Sequence, residues 1–108
     1  MTINARQLGQ VAVTGNIATA YTVPVGTTTY LKDFSACNTT GNAVNLNVHI
    51  VPSGGNAATS NALYYNSNIS ANTTLHWTGT QILTVGMTIQ VKASATGITI
   101  TLSGGEET

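Results

Sequence analysis

Apolar and polar side chains alternate through most of this chain. Val44, Leu46, Val48 and Ile50 alternate with Asn45, Asn47 and His49, the two-residue period of a strand with one face on a core. Pro52-Ser53-Gly54-Gly55 then turns the chain. The same period runs through Thr88–Ala95, where Ile89, Val91, Ala93 and Ala95 oppose Thr88, Gln90, Lys92 and Ser94. After a turn at Thr96-Gly97 it resumes in Ile98, Ile100 and Leu102. Further strands are predicted at Ala20–Val23, Leu63–Ile69, Thr73–Thr78 (Leu75 and Trp77 on the core face) and Ile82–Val85, with a weak one around Gln10–Val13. Thr28–Cys37 mixes its faces: Tyr30, Phe34 and Ala36 fall on one side, Leu31 and Cys37 on the other. Asn38–Asn42 reads as a turn, because Asn and Gly accept positive φ and Asn bonds back to nearby backbone. Asn56–Asn61 reads as a polar loop.

No window holds a helical period, and Thr, Val, Ile and Asn fill helices poorly. About eight short strands, with turn signals at roughly 8–12-residue spacing, predict an all-β chain folded as a single antiparallel β-sandwich or jelly-roll-like domain. The expected organisation is an N-terminal arm with the first weak strand over residues 1–19, the sandwich over 20–103 and a flexible tail over 104–108. The 108 residues suit one domain and one core.

Composition changes this picture in one respect. Charged residues make up only 6% of the chain and the formal net charge is zero, against about 25% charged in ordinary globular proteins. The polar strand faces are built of Thr and Asn instead. A monomeric sandwich blunts its edge strands with Lys, Pro or bulges, and this chain has two lysines, Lys32 and Lys92. Neutral polar faces stay wettable yet escape the cost of burying charge at a contact. They suit packing against further copies of the chain or against a lattice. Three basic residues cannot neutralise much phosphate, so nucleic acid is not an expected partner. Nor is a membrane, since no segment approaches the roughly 18 apolar residues of a span. A single cysteine, Cys37, rules out an internal disulfide.

Candidate chemistry is sparse. His49 and His76 have only Cys37 and Asp33 to join them, short of the three or four spaced ligands of a zinc site. They are expected to be exposed or interface residues, and no metal, cofactor or catalytic residue is assigned. Glu106 and Glu107 are expected on a solvated tail, a poor place for acid–base work. The glycine pairs Gly54-Gly55 and Gly104-Gly105 lack a phosphate-loop pattern and read as turns. Aromatic rings among Asn and Thr can form a sugar platform. Tyr64, Tyr65 and His76 are the candidate glycan contacts, although strand alternation puts Tyr64 and Tyr65 on opposite faces.

Three runs carry a family resemblance. They are Tyr21-Thr22-Val23-Pro24-Val25-Gly26-Thr27-Thr28, then Cys37-Asn38-Thr39-Thr40-Gly41, then Val48-His49-Ile50-Val51-Pro52-Ser53-Gly54-Gly55. In this order they resemble small structural proteins of tailed bacteriophages. Asn61-Ala62-Leu63, Ile69-Ser70-Ala71-Asn72-Thr73-Thr74 and Ile89-Gln90-Val91-Lys92-Ala93-Ser94-Ala95 continue the likeness, which spans about residues 20–103. Gly86-Met87-Thr88 departs from the family's Gly-Asp at that point and keeps the turn glycine.

The resemblance implies a β-sandwich virion protein, often oligomeric, with no catalytic residues. Small phage sandwiches of this kind serve as head decoration, or cement, proteins, frequently as trimers. The expected function is therefore non-enzymatic capsid decoration. The protein would be made in the bacterial host cytoplasm and located on the virion, on the capsid exterior rather than the tail. Its expected partners are itself, as a homo-oligomer with a trimer favoured, and the major capsid protein or other virion proteins. Ile3, Leu8, Val11 and Val13 are the candidate contacts of an arm, Met1–Val13, that orders on the shell or on a neighbour. The alternative is a tail, fibre or baseplate component that binds host-surface glycan.

Overall fold

The computed structural model describes residues 2–108. Eight strands follow one another: β1 (Ile3–Val13), β2 (Ala18–Thr22), β3 (Thr28–Asn38), β4 (Val44–Val51), β5 (Ala62–Ile69), β6 (Thr74–Leu83), β7 (Thr88–Ala93) and β8 (Ile98–Glu107). A 3-10 turn, Thr59–Asn61, precedes β5. One sheet has the order β1-β8-β3-β6 and the other β2-β7-β4-β5. The pairings nest: β4 with β5, β3 with β6, β2 with β7 and β1 with β8, all antiparallel. The chain thus behaves as one long antiparallel ribbon, doubled at the loop after β4 and rolled into two facing sheets, which is the jelly roll.

The core follows the alternation. On β4 and β7 the facing pairs Leu46–Ala93, Val48–Val91 and Ile50–Ile89 point inward, and Asn47–Lys92 and His49–Gln90 point outward. Phe34 sits at the centre, fully buried. Its ring meets Tyr64 of β5 edge-on at 5.5 Å and stacks on Trp77 of β6 at 5.7 Å, so three aromatic rings link the two sheets.

The mixed faces of Thr28–Cys37 have a local cause. The register of β3 is interrupted between Leu31 and Asp33 in its pairings with both neighbours. The irregularity turns the strand over, so Leu31 and Phe34, three residues apart, both reach the core. Tyr30 goes to the other face, opposite Ile82.

The expected arm and tail need correction. Residues 3–13 form a full strand, and so do residues 98–107, paired with each other from Ile3–Glu107 to Val13–Ile98. Met1 lies outside the described residues. Gly104 and Gly105 make no turn. Gly104 lets β3 approach β8, since a Cβ there would lie 1.9 Å from the Tyr30 carbonyl oxygen. The two short strands expected at Thr73–Thr78 and Ile82–Val85 are one strand, β6. Gly79 does not break it: a Cβ there would come 2.9 Å from the Trp77 ring, so the missing side chain makes room for the indole.

Asparagine fastens loops as well as wetting faces. Buried Asn38 donates Nδ2 to the carbonyls of Asn42, Ile69 and Ser70, and its Oδ1 accepts from Thr40 N and Thr40 Oγ1. One side chain thereby holds the β3–β4 and β5–β6 loops together.

Candidate functional site

The candidate contact residues of the arm divide. Leu8, at 7% exposure, and Val13, at 2%, belong to the chain's own core, and Val11 packs against it. Only Ile3, 62% exposed, is left for a partner. The bulge at Leu8, between Gln7 and Gly9, turns that side chain inward.

Tyr64, Tyr65 and His76 do not meet. Tyr64 faces inward against Phe34, as strand alternation expects. Tyr65 points out of the β2-β7-β4-β5 sheet, and His76 is exposed on β6 of the other sheet. Trp77 is half-buried beside Leu75 on the core side.

His49 corrects another expectation. It is 5% exposed and not a free surface residue. Its Nδ1 lies 3.0 Å from both the Ala58 carbonyl and Asn61 Oδ1. Both partners are acceptors, so Nδ1 carries a proton, and in the neutral imidazole Nε2 keeps a lone pair. Asn61 in turn accepts from Ala58 N and donates to the Asn56 carbonyl. The loop after β4 is thereby tied down onto the sheet.

That loop walls a depression of about 410 Å³ on the outer face of the β2-β7-β4-β5 sheet. Its floor is the outward square of Asn47 and His49 on β4 with Lys92 and Gln90 on β7. Tyr65 and Ile17 stand at its rim. A bulge places the tyrosine: Tyr65 and Asn66 together oppose the single residue Asn47. Asn66 has φ 49°, uncommon outside glycine, and its N–H donates to Asn47 Oδ1. Bulges that re-aim a side chain are common beside binding sites. The sequence signal for this site was the outward set Asn47, His49, Gln90 and Lys92 on two alternating strands. That the strands lie side by side, and that Tyr65 is turned over them, was not visible.

A second polar cluster lies inside one end of the sandwich. Glu106 is 8% exposed, not solvated. It pairs with Arg6 Nη1 at 2.9 Å and accepts the hydroxyl proton of Tyr21. Thr29 Oγ1 lies 2.7 Å from the Tyr21 oxygen. Burial and the bond to Glu106 push the Tyr21 phenol up to about 12. Tyr30 donates to Glu107 at 3.1 Å, which raises its phenol above the ordinary value. Among the described residues no three His, Cys, Asp or Glu side chains gather in one place.

Fold and surface together define a jelly-roll β-sandwich with nearly uncharged outer faces. No protein-family model matches the chain, and no curated protein matches it. Among solved structures, a chain in the structure of infectious bursal disease virus Gx strain shares the fold, with a TM-score of 0.51 at 10% identity. The match covers 97% of this chain and 30% of the viral one, so this chain spans about a third of its neighbour's length.

Proposed function

We propose that this protein is a non-enzymatic structural component of a bacteriophage virion, and specifically a decoration protein on the outside of the head. The observation that carries the reading is a jelly roll with long, charge-poor edges and neutral faces. Of the ten residues of β6, an edge strand with one neighbour, none is charged or proline. Such an edge offers free N–H and C=O groups to another strand. A related fold in a virus structure supports the viral setting, and the resemblance of the sequence to tailed-phage structural proteins supports a bacteriophage. Bridging adjacent capsomers stabilises a shell because the ligand binds only the assembled state.

Cryo-electron microscopy of the intact particle tests this. Density for the sandwich on the capsid exterior between capsomers is the expected result. Density confined to the tail or its tip would overturn the decoration role.

A further inference from the structure

We propose that the depression over β4 and β7 binds an acidic saccharide, a pyranose bearing a carboxylate. This does not depend on where the protein sits on a particle.

The floor of the site presents a fixed set of donors and acceptors. Asn47 accepts through Oδ1 from Asn66 N, which leaves its Nδ2 as a donor. Lys92, beside it in register, is exposed. The chain's one ion pair among the described residues is Arg6–Glu106, so this ammonium has no carboxylate of its own. Asn47 and Lys92 form a donor row. The next row accepts. His49 is held with Nδ1–H toward the loop, so in the neutral imidazole Nε2 offers a lone pair. Among the described residues no fully buried side-chain nitrogen or oxygen lacks a partner, and Nε2 has none within the described residues, so it keeps some contact with solvent. Gln90 donates Nε2 to Thr88 Oγ1 at 3.0 Å, which leaves its Oε1.

Tyr65, 54% exposed, adds an aromatic ring at the rim. The C–H face of a pyranose is apolar and packs on such a ring, and its hydroxyls project to the sides. A sugar lying there sets a carboxylate against Asn47 and Lys92, and hydroxyls against His49 and Gln90. The site is also largely preformed. The His49–Asn61 network holds the wall, and the Asn66 bulge holds the ring, so little ordering remains to oppose binding.

Heteronuclear NMR of the full chain titrated with methyl glucuronide and with methyl glucoside tests the proposal. Glucuronide is expected to shift the amides of Asn47, Asn66, Gln90 and Lys92 saturably in the millimolar range, and to bind about fivefold more tightly than glucoside, the scale of one exposed ion pair. Lys92→Met should remove that preference, and Tyr65→Ala should weaken both sugars about tenfold, the scale of a lost aromatic stack. Both side chains are exposed, and the same spectra report whether each variant is folded. No saturable shift with either sugar would overturn the proposal. So would shifts confined to another surface, equal affinity for the two sugars, or an unchanged affinity in folded Tyr65→Ala.

Discussion

Tyr21 and Glu106 join the two sheets through a polar contact inside the sandwich. Tyr21 stands on β2 of one sheet, and Thr29 and Glu106 on β3 and β8 of the other. Replacing Tyr21 with Phe removes the hydroxyl that serves both, and should cost about 1–3 kcal/mol, the usual cost of a buried partner left unmade. Urea titration would measure it. The same phenol gives a pH signature. Its ordinary value is 10.0 and its folded value about 12. Below pH 10 it is protonated folded and unfolded alike, and its contribution is complete. Between 10 and 12 the unfolded chain loses the proton more readily, so stability falls as pH rises. Stability curves across that range should show the decline in the wild type, and a smaller one in Tyr21→Phe. At this scale the sequence was only partly legible. The turn role of Asn38 followed from its residue type, but two of the carbonyls it serves, Ile69 and Ser70, lie more than a loop away in the chain. Glu106 was misread because a short run of Ser, Gly and Glu looks solvated, and only the pairing partners of β8 bury it.

At the scale of elements, the nested pairing makes the two ends of the chain depend on each other. β8 lies between β1 and β3 and pairs with both over nearly its whole length. Residues 104–107 face Ile3–Arg6 on one side and Thr28–Leu31 on the other. Deleting residues 104–108 therefore removes Glu106 and strips two strands of their hydrogen-bonding partner. The truncated chain is expected to lose cooperative thermal unfolding, or to melt more than about 10 °C lower, as a loss of several kcal/mol does in a domain of this size. Calorimetry would decide; an unchanged melting temperature would show that the end of β8 contributes nothing. Deleting residues 1–13 should be as severe, because Leu8 and Val13 go with it. Loss of particle binding in that variant would then report unfolding, not a lost arm. The strands themselves were largely readable where alternation is unbroken, as in β4 and β7. The reading faltered in β3 and β6. A register shift in the first and a glycine under an indole in the second imitate a mixed face and a strand end.

At the scale of the molecule, the surface is wettable but almost without charge. With a formal net charge of zero, the self-association proposed for this chain should respond weakly to ionic strength, since little charge is there to be screened. Sedimentation at low and high salt should give the same distribution of species. Thr78→Lys places a charge on exposed β6, and should shift that distribution toward the monomer, as edge lysines do in monomeric sandwiches. An identical profile would remove β6 from the contact.

Taken alone, the sequence determined the class of fold and the character of its surface. Both are local properties: a two-residue period fixes which side chains can share a face, and composition fixes whether the other face is charged. The tertiary structure decided which strands became neighbours, where the register slips, and therefore which of the polar residues ended up together. Asn47, His49, Tyr65, Gln90 and Lys92 stand around one depression, while Glu106 is drawn inside. Each placement depends on pairing between strands distant in sequence, and on bulges that move a side chain from one face to the other. A single-residue slip is enough to do that, because the strand period is two.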